Sequence, residues 1–164
     1  MNTIFKIIVI GIGATLTMDA WSYIMKLFNI KSLDYKFVGR WIGNLTKGKF
    51  THNKIFDTVP FPNELLIGWI THYLIGITFV FLLAGVYGKE WIMNPTLKPA
   101  IIIGLVTIVA PFFLMQPSFG FGIAGSKLPD PNTARFKSLI IHFVYGLGIY
   151  LSAMCLNKII ELIK

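Results

Sequence analysis

The stretch Leu65-Leu-Ile-Gly68-Trp-Ile-Thr-His72-Tyr-Leu-Ile-Gly76-Ile-Thr-Phe-Val-Phe-Leu-Leu-Ala-Gly-Val-Tyr87 decides the fold. It carries no formal charge, and at about 1.5 Å per helical residue it is long enough to cross a hydrocarbon layer about 30 Å thick. Pro99 to Ser126 and Ser138 to Asn157 are equally uncharged, and Ile7 to Met25 carries only Asp19. The 164 residues are 55% hydrophobic and 13% charged, with a mean hydropathy of +0.70; an ordinary soluble domain is about one quarter charged. A globule of this size in water could not hide so much apolar surface, whereas a bilayer solvates it. The sequence therefore predicts an all-α integral membrane four-helix bundle, a single domain over 1–164 with spans at about 5–27, 65–87, 99–120 and 137–158. Lys6 ahead of an apolar run resembles a cleavable signal, but no small-x-small site follows and Asp19 interrupts the end of the run, so the first helix is expected to be retained. The lone Cys155 excludes an intramolecular disulfide and paired-thiol redox chemistry.

Charge sets the expected topology. The connector from Lys26 to Glu64 holds Lys26, Lys31, Lys36, Arg40, Lys47, Lys49 and Lys54 against Asp34, Asp57 and Glu64, and the turn after the third span adds Lys127, Arg135 and Lys137. Only Lys6, Lys89, Lys98, Lys158 and Lys164 lie elsewhere. Basic loops stay cytoplasmic, so both termini are expected outside. The net charge of +8 is read as this retention signal plus attraction to anionic lipid headgroups. Nucleic acid is not an expected partner, because no aromatic-interleaved basic module is present.

The connector is too long for a plain turn. Phe37, Val38, Trp41, Ile42 and Leu45 recur at helical spacing, with Lys36, Arg40 and Lys47 elsewhere around the wheel, which predicts a short interfacial helix limited by Gly43 and Gly48. In Val59-Pro60-Phe61-Pro62-Asn63-Glu64 the prolines predict an extended approach, with Asn63 capping the second span and Glu64 complementing its dipole. His52 is expected in solvent, and Trp21, Tyr23, Trp41, Trp69, Tyr87 and Trp91 mostly at the membrane interfaces.

Gly68-x-x-x-His72-x-x-x-Gly76 and Ser138-x-x-x-His142-x-x-x-Gly146 share one frame, and Gly11, Thr15 and Asp19 form a counterpart in the first span. Spacing of four puts each set on one helix face, with small residues that let a neighbouring backbone approach. The pattern suggests two helical hairpins in parallel repeat. Counted inward from the basic side, Asp19, His72 and His142 each lie roughly 10–14 Å deep. Gln116 belongs to the same layer, in a third span interrupted by Pro111, Pro117, Gly120 and Gly122. Prolines remove backbone donors, so irregular backbone is expected there. An intramembrane Asp costs about 2.5–3.5 kcal/mol, which directs Asp19 into the bundle toward a partner.

Four readings of this layer stay open: a packing network, a proton or cation pathway, a metal site on His72, His142 and Asp19, and bis-histidine haem. No Walker loop, HExxH, GxSxG or dinucleotide fingerprint appears, and no catalytic residue is assigned.

The blocks Gly13-Ala-Thr-Leu-Thr-Met-Asp19-Ala-Trp21, Val38-Gly-Arg40-Trp41-Ile-Gly43, Gly68-Trp69-Ile-Thr-His72-Tyr73-Leu-Ile-Gly76, Pro111-Phe-Phe-Leu-Met115-Gln116-Pro117 and His142-Phe-Val-Tyr-Gly146-Leu-Gly148 follow one another along the chain. In these the sequence resembles the family called domain of unknown function 2938. The resemblance implies a multi-pass protein of the bacterial inner membrane and implies no activity. From the residues, the leading expectation is a small proton- or cation-linked transport or permeation module with no cofactor. A metal- or haem-binding membrane enzyme or redox protein is the first alternative. A structural or regulatory subunit is the second, and a bundle this small is compatible with a homodimer.

Overall fold

The segments that lack charge are helical in the computed structural model, which describes residues 2–30 and 32–163. Lys31 and Lys164, both counted in the charge argument, lie outside the described residues. Helix α1 (Thr3–Leu27) starts behind Asn2, whose Oδ1 accepts the Ile4 N–H at 3.0 Å, and stops where Asn29 turns left-handed (φ 61°). Next come α2 (Lys36–Leu45), α3 (Glu64–Tyr87), the short α4 (Glu90–Met93) and α5 (Leu97–Val106). A single turn, α6 (Gln116–Ser118), and the long α7 (Pro131–Leu162) complete the chain. The described residues are 75% helical, with no strand among them. Four helical stretches are long and apolar enough to cross a membrane: Thr3–Leu27, Glu64–Tyr87, Leu97–Ser118 and Pro131–Leu162.

The fourth span begins upstream of the expected position 137, and its start has a local cause. Asp130 accepts the Thr133 N–H at 3.2 Å and Pro131 occupies the first helical position, where its missing donor is not needed. The third span is broken, as its prolines require. After α5 the chain turns at Thr107 and then widens into a π turn, Pro111–Met115, closed by the Gln116 N–H on the Pro111 carbonyl. Beyond α6 the glycine run is loop. Gly120 is left-handed (φ 85°), and a side chain there would strike the Asn53 carbonyl oxygen.

By its internal contacts the chain divides into two compact units. The first comprises Met1–Lys31, Tyr73–Thr107 and Ile140–Lys164, and so draws on all four spans. Its core includes Ile10, Ala14, Val80, Leu83, Ile92, Ile103, Tyr145 and Ile149. Glycines bring its helices together. A Cβ on Gly11 would lie 2.6 Å from Ile77 Cα, one on Gly104 2.6 Å from Gly146 Cα, and one on Gly148 2.9 Å from the Ala14 carbonyl oxygen. These contacts chain α3 to α1, α1 to α7 and α7 to α5. Close approach of this kind supplies the dispersion contacts that hold membrane helices, since apolar burial gives no drive in lipid.

The second unit comprises Ser32–His72 and Ile108–Leu139. Val38 and Trp41 of α2 pack with Ile55, Phe119 and Phe121 in its core. The His52 and Ile55 N–H groups donate to the Ser118 and Phe119 carbonyls at 2.8 and 3.0 Å, pairing the connector with the segment after the broken span. Several expectations are corrected here. Arg40, expected on the solvated side of α2, is 5% exposed, and His52, expected in solvent, is 6% exposed. Trp41 and Trp91 are buried, with their Nε1–H groups donating to the Phe50 and Thr96 carbonyls at 2.8 and 3.2 Å. Asn63 adopts a left-handed backbone (φ 57°) and offers Ile67 its carbonyl; the side chain that closes the start of α3 is Glu64, whose Oε2 accepts the Phe61 N–H at 2.9 Å.

Candidate functional site

The face Gly11, Thr15, Asp19 of α1 meets α3 in register. Gly11 approaches Ile77, Thr15 packs on Gly76, and Asp19 accepts a hydrogen bond from the Tyr73 hydroxyl at 2.9 Å. The spacing of four on α1 runs antiparallel to descending positions on α3, so one shared face delivers both the tight packing and the polar pair. Thr15 is itself satisfied by donation to the Gly11 carbonyl at 2.8 Å.

His142 sits on α7, 8% exposed, with Nδ1 2.9 Å from the Thr107 hydroxyl oxygen. That hydroxyl donates to the Gly104 carbonyl at 2.6 Å. Its single proton is thereby committed, so the His142 Nδ1–H must be the donor in the imidazole contact. Thr107 is available because the helix ends beside it, and Gly104 and Gly146 let α5 and α7 approach closely enough for the pair to meet.

His72 lies on α3 over Tyr35, the residue just before α2. Its Nε2 is 2.9 Å from the Tyr35 hydroxyl, the rings stack with centroids 4.1 Å apart, and Trp69 stands edge-on to the imidazole. Gly68, one turn earlier, rests on the Tyr35 carbonyl. Gln116, in α6, is 8% exposed; its carbonyl accepts the Phe121 N–H at 2.9 Å, and its side-chain Oε1 has no hydrogen-bond partner among the described residues. Pro111 opens the π turn, Pro117 lies in α6, and Gly120 and Gly122 form the left-handed loop beyond.

Of the four polar residues singled out in the sequence, Asp19 and His142 belong to the first unit, His72 and Gln116 to the second. Within the first, Asp19 rests on Tyr73 of α3 and His142 on Thr107 at the end of α5. Among the described residues no group of three or more His, Cys, Asp or Glu side chains is gathered as a metal ion would require. The hydroxyl partners Tyr35, Tyr73 and Thr107 escaped the sequence reading. Tyr73 follows His72 directly and Thr107 stands four residues before Pro111, so an aromatic hydroxyl beside a histidine and a hydroxyl at a proline break were the available signals.

Sequence reasoning also missed a second polar centre. Arg40 forms a two-pronged ion pair with Glu64, Nε to Oε2 at 2.7 Å and Nη2 to Oε1 at 2.8 Å, and its Nη1 donates to the Ile55, Phe56 and Thr58 carbonyls. The hydrogen-bonded Glu64 carboxylate holds the guanidinium above its ordinary pKa. Burial pushes the His52 imidazole below its usual value, with Lys49 acting in the same direction and a 3.4 Å contact from Nδ1 to the Ser118 carbonyl opposing them.

The fold and these pairs define an all-α protein with four membrane-length helices and hydroxyl-held ionisable groups within them. The model of the family described as protein of unknown function (DUF2938) matches residues 8–156, and the chain belongs to that family. Neither the curated proteins nor the solved structures provide a match.

Proposed function

We propose that the protein is a small membrane module that passes protons or a cation, with Asp19, His72 and His142 as the exchanging groups. The observation that carries this reading is Asp19, a carboxylate within the apolar α1, held by the Tyr73 hydroxyl at 2.9 Å. Keeping a carboxylate at such a position costs about 2.5–3.5 kcal/mol, and residues retained against that cost mark ion and proton routes by default. Asp19 and His72 each meet a tyrosine hydroxyl, a group that both donates and accepts, so a change of protonation there can be met by reorienting a partner rather than by breaking the helix contact. The break in the third span adds irregular backbone, which at membrane depth persists only when packed in protein or lining a water-filled cavity.

A packing role is the second reading, and the Thr107 hydroxyl favours it. Because that hydroxyl is committed to the Gly104 carbonyl, the His142 contact is directional and fixed. Reconstitution separates the two. Under transport, proteoliposomes dissipate an imposed proton or cation gradient across pH 5 to 8, the range in which histidine charge changes. Asp19→Asn then abolishes the flux while the protein stays folded. A wild-type protein that conducts nothing under any imposed gradient removes the transport reading and leaves packing.

A further inference from the structure

The connector carries a cleft of about 630 Å³ whose lining includes Lys47, Lys49, Asn53, Lys54, Asp57 and Phe61. We propose that this cleft binds the phosphate headgroup of an anionic glycerophospholipid, independently of any transport by the spans.

Charge is the first argument. Lys47, Lys49 and Lys54 are exposed, and among the described residues none of them is in an ion pair. Asp57 shares the lining and leaves two positive charges in excess. Of the cations in α2, Lys36 is engaged with Asp34 at 3.0 Å and Arg40 with Glu64. The uncommitted positive charge between α2 and α3 therefore converges on one concave place.

Position is the second argument. Phe61 and Pro60 line the cleft a few residues before Glu64, where the second membrane-length helix begins, which puts the lysines at the level of lipid phosphates. The apolar rim is the third. Val59, which lines the cleft with Pro60 and Phe61, is 80% exposed, so the cleft pairs cationic walls with an apolar lip suited to acyl chains. A soluble phosphate would use the first feature and leave the second unexplained. The walls are also held in place before any ligand arrives. Arg40 gathers the Ile55, Phe56 and Thr58 carbonyls, the Phe61 ring seats against Gly43, and Lys47 lies over that ring, 5.3 Å from its centroid. Such preorganisation reduces the ordering that binding requires.

The test titrates the full chain in neutral detergent with short-chain phosphatidylglycerol, short-chain phosphatidylcholine, glycerol phosphate and inorganic phosphate. Phosphatidylglycerol should bind at least about tenfold more tightly than each of the other three. The triple replacement Lys47→Gln, Lys49→Gln, Lys54→Gln should weaken it by about tenfold or more, while Lys89→Gln, Lys98→Gln, Lys158→Gln, an equal loss of charge elsewhere, should change it by less than about twofold. Equal binding of the two lipids overturns the proposal, and this comparison needs no variant. Glycerol phosphate or inorganic phosphate binding as tightly as the lipid would make this a soluble-anion site and overturn the lipid assignment. Equal losses in the two triple variants would show a diffuse field rather than a site.

Discussion

Arg40 and Glu64 meet through two parallel hydrogen bonds, Nε to Oε2 and Nη2 to Oε1, with only 6% and 15% of their side chains exposed. The pair joins α2 to the first residue of α3, and through its remaining nitrogen Arg40 ties down the Ile55–Thr58 stretch between them. Three carbonyls and a carboxylate thus converge on one guanidinium, whose planar fork matches this geometry as an ammonium could not.

Removing one partner leaves the other as a buried, unpaired charge, which costs about 3–5 kcal/mol. Arg40→Met and Glu64→Gln should therefore each lower the stability of the folded connector by that order. Limited proteolysis between Phe50 and Phe61 reads the effect directly, because that backbone loses its anchor. Arg40→Lys should rescue only in part, since Lys offers no parallel fork. If Arg40→Met resists protease as the wild type does, the pair does not organise the connector.

His52 gives the connector a pH response whose sign follows from linkage. Its folded pKa is lowered by burial, so once pH falls below the ordinary histidine value of about 6.5 an opened connector binds more protons than the closed one. Stability is full above that pH and is lost as pH falls from there toward the depressed folded value. The amides of His52 and Ile55, which donate to Ser118 and Phe119, are the natural reporters. Their hydrogen-exchange protection, corrected for intrinsic exchange, should decline between pH 7 and 5, and His52→Gln should flatten that decline. Protection that rises on acidification would contradict the assignment.

The spans were legible because lipid imposes a one-dimensional rule: an uncharged stretch of sufficient length must be helical to satisfy its own backbone. The break in the third span was legible for an equally local reason, the donors missing at Pro111 and Pro117. What the sequence hid is tertiary. Arg40 reads as a surface cation on a helical wheel until the Ile55–Thr58 stretch folds back over it, and His52 reads as solvated until its backbone pairs with Ser118, 66 positions away. Asp19, His72 and His142 were visible as anomalies in apolar helices, whereas their partners were not, because Tyr and Thr are ordinary residues in a membrane span.

The orientation expected from the charge count is a separate proposal. Lys127, Arg135 and Lys137 flank the start of α7 and Lys36 to Lys54 surround α2, so the same side of the membrane should retain both regions. Reporters inserted near Lys49 should be active in the cytoplasm, and reporters fused behind the last residue should be active outside it. The opposite pattern would reverse the orientation without changing the fold.

Thr107 and His142 provide the sharpest division between a fixed contact and a mobile one. The threonine hydroxyl donates to Gly104 and accepts from His142, so Thr107→Val leaves a buried carbonyl and a buried imidazole N–H each short of one partner in nearly unchanged volume. Interhelical hydrogen bonds in membranes average about 0.6 kcal/mol and reach about 1.7, which sets the expected loss of stability near 1–2 kcal/mol. Thr107→Ser keeps the hydroxyl and should recover most of it. Reversible unfolding in mixed micelles measures this loss, and reconstituted flux measures the other possibility. If the contact only packs α5 against α7, Thr107→Val lowers stability and there is no flux to alter. If His142 exchanges protons, the valine variant also shifts the pH dependence of flux, because the imidazole loses the hydroxyl that fixes which nitrogen carries the proton.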